Sequence, residues 1–124
     1  MKNQVIVVLG SNIDAEKNIN VALSLLEKYF KVNKISSVLK TKPIGITNQP
    51  DFLNAAVFME TSLEREALIQ RLKALEDELG RDRTRPKFGP REIDLDILSW
   101  NGKIVDDDYY SRDFLQQLVA ELNQ

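Results

Sequence analysis

With 124 residues, no cysteine, no histidine and a formal charge of −2, the chain is expected to form one domain over residues 1–124, built around a single core. Disulfides, thiolate zinc sites and any imidazole acting as general base or metal ligand are excluded. A hydrophobic content of 43% with 29% charged residues describes an ordinary globular chain, too near neutrality to coat nucleic acid, and the first apolar run is too short for a secretory signal or a membrane span, so a cytoplasmic protein is expected.

Residues 5–9, VIVVL, form an unbroken apolar run that predicts a central strand buried on both faces. Gly10-Ser11-Asn12 turns the chain, Asp14 is a candidate N-cap, and Ile19, Leu23, Leu26 and Phe30 recur at helical spacing. Residues 31–39 alternate weakly, diluted by Ser36 and Ser37, and predict a second strand near an edge. The stretch TKPIGITNQPD at 41–51 is too long for a tight hairpin and predicts a binding loop.

In residues 52–60, FLNAAVFME, a period of two puts Leu53, Ala55, Val57 and Met59 on one face and Phe52, Asn54, Ala56 and Phe58 on the other. Thr61 and Glu64 have capping-box spacing, and Leu68, Leu72, Leu75 and Leu79 make the stripe of a second helix that Gly80 ends. An irregular basic segment over 81–91 leads into a strand at 92–98. Asn101-Gly102 then marks a turn, followed by Asp106-Asp107-Asp108 and a short helix over 112–122. The order β-α-β-β-α-β predicts an α+β, ferredoxin-like fold: a four-stranded antiparallel sheet with two helices on one face, plus the C-terminal helix. The other face is expected to be open, with Phe52, Asn54, Asp94 and Asp96 emerging there together.

The chemistry is concentrated in GRDRTRPKFGPREIDLDIL at 80–98. Arg81, Arg83, Arg85, Lys87 and Arg91 crowd positive charge into a segment broken by Pro86, Gly89 and Pro90, as a phosphate-handling loop requires. Directly after it, Asp94 and Asp96 share one strand face, where two carboxylates can hold magnesium. An isolated Asp-x-Asp is more often the solvated side of a strand, and a charge run is as readily an exposed surface. Their adjacency is what favours magnesium with polyphosphate. Phe52 and Phe114, taken singly, read as core residues. Asn54 in mid-strand offers donor and acceptor together, matching the lactam-like edge of a pterin or purine. Gly10-Ser11-Asn12 reads as plain turn chemistry. An RNA-binding module on the same fold is disfavoured because the third strand lacks spaced stacking and basic residues.

The segments GSN at 10–12, TKPIG at 41–45, QPDFLNAAV at 49–57 and GRDRTRPKFGPREIDLDIL at 80–98, in this order, resemble the 6-hydroxymethyl-7,8-dihydropterin pyrophosphokinase family of folate biosynthesis. The resemblance implies that ATP and two magnesium ions bind, that the hydroxymethyl oxygen of the pterin attacks the β-phosphorus, and that AMP leaves. It implies Asp94 and Asp96 as metal ligands and Arg81, Arg83 and Arg91 as phosphate-handling arginines. Glu76, Phe88, Ile97 and Arg112 fall on the ATP side. Thr41, Pro43, Ile44, Phe52, Asn54 and Phe114 line the pterin pocket, with Phe52 and Phe114 as stacking rings. The partners implied are these two small molecules; from charge and sequence no nucleic acid or membrane partner is expected, and a monomer is expected.

One segment departs from the family's pattern. VDDDYYSRDFL at 105–115 replaces a longer stretch whose Pro-His pair meets the ATP phosphates. Loss of one charge-assisted hydrogen bond, worth about 1.5–3 kcal/mol, slows transfer by about an order of magnitude or more. A pterin or nucleotide binder with little turnover is the alternative this departure raises.

Overall fold

The computed structural model describes residues 2–123. The apolar run lies at the centre of an antiparallel sheet, in strand β1, Asn3–Ser11, which pairs with β4, Phe52–Thr61, on one side and β5, Asp94–Trp100, on the other. β2, Lys31–Ile35, and β3, Leu39–Thr41, both pair with β4, and β6, Lys103–Ile104, pairs with the end of β5. The order is β2-β4-β1-β5-β6, with β3 lying farther along β4. The sheet therefore has six strands where four were expected.

Both additions have local causes. The predicted strand over 31–39 breaks at its serines: Ser36 N–H donates to Ala56 O while its Oγ accepts from Ala56 N–H, and Ser37 bonds through N–H and Oγ to the Glu121 carboxylate. The chain then rejoins β4 as β3. At the other edge Asn101 and Gly102 both take positive φ, 50° and 84°, and fold β6 back on β5.

Helices α1, Ala15–Tyr29, and α2, Arg65–Glu78, cover one face, as expected. Ile19, Ala22 and Leu26 of α1 and Leu68, Leu72 and Leu75 of α2 bury Val5, Val7, Leu9, Val57, Met59, Ile93 and Leu95. Asp14 stands at the N-cap of α1, as expected, but the expected capping bonds do not form. Among the described residues neither Asp14 nor Glu64 makes a side-chain bond to its helix. Asn18 bonds back to Ile13 O instead, and Thr61 Oγ1 is occupied by Leu63 N–H, so the capping box does not form. The end of α2 follows the glycine signal. Gly80, at φ 86°, lets Arg81 N–H return to Glu76 O and its own N–H to Asp77 O, which closes the helix and fixes where Arg81 departs.

The opposite face is only partly open. The C-terminal helix is two pieces, α3, Asp108–Ser111, and α4, Asp113–Leu122. Leu115, Leu118, Val119 and Leu122 of α4 pack on Ile6, Ala56 and Leu98, because a stripe of four apolar side chains needs an apolar partner and this stretch of sheet supplies one. The end of the face bearing Asn54, Asp94 and Asp96 stays uncovered and lines a cavity. Among the described residues no helix is long and apolar enough to cross a membrane.

Candidate active site

Gly10 in β1 lies between Asn54 of β4 and Asp94 of β5 in the sheet register. Three adjacent strands thus deliver a carboxamide, a bare backbone and a carboxylate to one level of the sheet. Asp94 and Asp96 face the same way, as period-two alternation requires, and both line two neighbouring cavities.

The first cavity, about 250 Å³, is bounded by Thr41, Ile44, Phe52, Asn54 and Phe114, with Phe88, Arg91 and Arg112 at its side. Pro43 stands between two lining residues, Lys42 and Ile44, without lining the cavity itself. Asn54 Nδ2 donates to Thr41 Oγ1 at 2.6 Å, which fixes the orientation of the carboxamide. A Cβ on Gly10 would lie 3.2 Å from Asn54 Oδ1, so the glycine leaves that oxygen its room.

The second cavity, about 600 Å³, is lined by Glu76, Arg81, Arg83 and Ile97, with Arg65, Lys73, Asp106 and Asp107. It is the more strongly charged of the two. Arg81 and Arg83 follow directly from the end of α2. Arg81 Nη1 donates to Asp94 Oδ1 at 2.6 Å and to Ile93 O at 3.0 Å, and Arg91 holds the other Asp94 oxygen. Arg83 bonds Glu76 Oε1 at 2.7 Å and also Asp77. Arg85 is occupied by Glu92 at 2.6 Å. Among the described residues, Arg81 Nε is buried without a hydrogen-bond partner.

Glu76 is buried in this frame, with both oxygens used. Oε2 accepts from Leu95 N–H at 2.7 Å and Oε1 from Arg83, so a helix carboxylate fixes the backbone between Asp94 and Asp96. Burial raises its pKa above the ordinary carboxylate value despite the Leu95 N–H and the nearby guanidinium groups. Asp96 is pushed up to about 7. Solvent reaches its side chain, but it lies between the two cavities with protein crowded around it. That desolvation, followed by the charges of Asp94, Glu76 and Asp106, outweighs Arg91.

Asn12 has a larger place than its turn motif announced. It is buried at the end of β1, where its backbone N–H donates to Arg91 O and its Oδ1 accepts from Arg91 N–H, at 3.1 and 2.8 Å. Its Nδ2 donates to Gln49 Oε1 and Pro50 O. No spacing rule links residues 12, 49 and 91. Asp106, which lines both cavities, was equally hidden within an acidic run.

Residues 6–124 match the family described as 7,8-dihydro-6-hydroxymethylpterin-pyrophosphokinase (HPPK). The 2-amino-4-hydroxy-6-hydroxymethyldihydropteridine pyrophosphokinase of Bacillus subtilis is 37% identical, over all of this chain and 80% of its own length. The protein of the same name from Aquifex aeolicus is 41% identical over 78% of this chain and 61% of its own. A folate synthesis bifunctional protein of Arabidopsis thaliana is 39% identical over 84% of this chain, which spans 22% of that longer protein. With the match running through both aspartates, the arginine segment and the two cavities, the chain belongs to the 7,8-dihydro-6-hydroxymethylpterin-pyrophosphokinase family.

Proposed function

We propose that this chain transfers diphosphate from ATP to the hydroxymethyl group of 6-hydroxymethyl-7,8-dihydropterin, releasing AMP, as a step of folate synthesis. The scaffold is read as a ferredoxin-like core of β1, β2, β4 and β5, extended by β3 and β6. The observation that carries the reading is that Asp94 and Asp96 border both cavities, one with a carboxamide and aromatic rings among its walls and the other with Arg65, Arg81 and Arg83.

In the first cavity Asn54 reads the amide edge of the pterin and Phe52 and Phe114 stack its ring, which aims the hydroxymethyl group at the aspartates. ATP occupies the second cavity, with Arg81 and Arg83 on its phosphates and Ile97 among the walls. The hydroxymethyl oxygen bonds to the β-phosphorus, the bond from that phosphorus to the α,β-bridging oxygen breaks, AMP leaves with that oxygen, and the hydroxyl proton is released. Such a displacement is a task for positioning and charge rather than for an activated nucleophile, so it tolerates the absence of histidine.

Two adjacent carboxylates on a strand fit magnesium, which takes one or two protein carboxylates and completes its shell with phosphate and water oxygens. Asp94 and Asp96 would hold it, and the bound ions would neutralise phosphate charge. Arg81 supports the same reading. Its buried, unpartnered Nε is satisfied if the guanidinium turns from Asp94 to a phosphate oxygen.

The deciding experiment mixes the protein with magnesium, ATP and hydroxymethyl-dihydropterin and separates the products. AMP with pterin diphosphate is expected. ADP would show ordinary kinase chemistry, and tight binding without AMP release would show a non-catalytic binder.

A further inference from the structure

The walls of the first cavity come from different layers. Thr41, Phe52 and Asn54 stand on β3 and β4, whereas Phe114 and Leu115 are brought to it by α4. Among the described residues the second cavity takes no wall from α4. The placement of that helix therefore bears on the first cavity alone.

Leu115, Leu118, Val119 and Leu122 hold α4 on the sheet, and Leu39 and Phe114 pack against the same cluster. Apolar burial is non-directional, so it keeps the helix on its patch without fixing how far along the patch it lies. Directional contacts stand at the far end, about two helical turns from Phe114. There Glu121 accepts from Ser37 N–H through Oε1 and from the Ser37 hydroxyl through Oε2, each at 2.9 Å. A carboxylate in the last turn opposes the helix dipole, so α4 by itself gives no reason for an acid at this position.

Ser37 is a fixed post. Its neighbour Ser36 is buried, meets both backbone groups of Ala56, and donates its hydroxyl proton to Ser37 O at 2.9 Å. Two residues beyond Ser37, β3 begins at Leu39, the register partner of Asn54, and it ends at Thr41, whose Oγ1 accepts from Asn54 Nδ2. One carboxylate thus ties the approach to the strand that orients Asn54 to the helix that carries Phe114.

We propose that Glu121 and Ser37 are positioning residues for the first cavity: by fixing α4 at the corner between β2 and β3, they set where Phe114 stands relative to Asn54, and with it the affinity for a flat heterocycle. The inference deepens the proposed function and rests on it for the identity of that ring as a pterin.

The test is calorimetric titration of hydroxymethyl-dihydropterin into the full chain saturated with magnesium and an ATP analogue carrying a methylene between the α- and β-phosphorus, with the analogue alone titrated separately. Glu121→Ala, which loses both bonds, and Ser37→Glu, which sets carboxylate against carboxylate, should weaken pterin binding about three- to tenfold. Affinity for the analogue should stay within about twofold of the unmodified chain. Glu121→Gln should bring pterin binding back, because its amide oxygen accepts from Ser37 N–H and its Nε2 donates to a hydroxyl that turns to receive it. Ser37→Ala combined with Glu121→Ala should cost no more than Glu121→Ala alone, as for two members of one contact.

A merely structural role would weaken both ligands alike, or lower the unfolding midpoint without touching pterin affinity, and either result in Glu121→Ala overturns the proposal. Should Glu121→Ala not fold, Ser37→Ala, which keeps the N–H bond, decides by the same split between the ligands. If the unmodified protein binds pterin and the variants match it, the positioning role fails while the proposed function stands. If the unmodified protein does not bind pterin, the proposed function fails and this inference with it.

Discussion

Arg81 Nη1 lies 2.6 Å from Asp94 Oδ1, so a guanidinium occupies one of the carboxylate oxygens proposed to hold magnesium. Arg91 takes the other. Both bridges are only partly exposed, which makes them stronger competitors than surface pairs.

Removing one competitor should therefore favour the cation. Arg81→Ala is expected to raise the affinity of the ligand-free protein for magnesium about tenfold, since a charge-assisted hydrogen bond is worth about 1.5–3 kcal/mol. AMP release should fall about a hundredfold, because the same side chain is proposed to act on phosphate. Titration with magnesium alone checks the first effect. A weakened metal affinity would refute the competition.

Asp96 makes the metal-free protein sensitive to pH. Its folded pKa of about 7 lies above the ordinary 3.8, so its stabilising contribution is whole below about 3.8 and is lost as pH rises through about 7. Glu76 is raised as well and acts in the same direction. Asp82, lowered by Thr84, and Glu92, lowered by Arg85 against the desolvation that opposes it, lose their contributions as pH falls through their folded pKa values. Between about pH 5 and pH 8 the thermal midpoint should therefore decline, with a shallower slope in Asp96→Asn. Equal slopes in the two proteins would remove Asp96 as the cause.

Magnesium binding should show the matching dependence. An ion that needs the ionised carboxylate must displace its proton, so affinity should climb as pH rises toward about 7 and then level off. Calorimetry in buffers of different ionisation enthalpy would detect proton release at about pH 6 and little at about pH 8.

Glu76 separates packing from ligand contact. Glu76→Ala leaves the Leu95 N–H without its buried acceptor and leaves Arg83 with Asp77 as its remaining carboxylate partner, at an expected cost of about 1–3 kcal/mol in denaturant unfolding. Turnover should fall as well, because the peptide it holds lies between Asp94 and Asp96. An unfolding midpoint equal to that of the unmodified chain would show that water replaces the carboxylate.

Gly10 offers a test confined to the cavity proposed for pterin. Gly10→Ala places a Cβ 3.2 Å from Asn54 Oδ1 and should turn the carboxamide, raising KM for pterin about three- to tenfold while KM for ATP holds. A change in both constants would instead indicate a shift of β1.

Much of this could be read along the chain. Asp94 and Asp96 share a face because β5 alternates, and α2 stops at Gly80 because a left-handed residue is needed there. The features that escaped depend on partners far away in sequence. Ser36 breaks the predicted strand through Ala56, α4 finds its apolar patch on three different strands, and Thr61 gives its hydroxyl to Leu63 rather than to a helix end. Asn12 showed itself as a turn residue because its local role is a turn. Its long-range role requires residues 49 and 91 to arrive beside it. The two-residue β6 and three-residue β3 are too short to carry a periodic signal.

The bond from Glu76 to Leu95 also bears on solubility. Along β5 the partner strand β6 reaches only Ser99 and Trp100, so the segment with the aspartates is a border where a foreign strand could add itself. A helix side chain takes the Leu95 amide there, and charges of both signs crowd the rim, which denies such a strand its first rung. The carboxylate that fixes the backbone between Asp94 and Asp96 thus also removes a free amide from this edge.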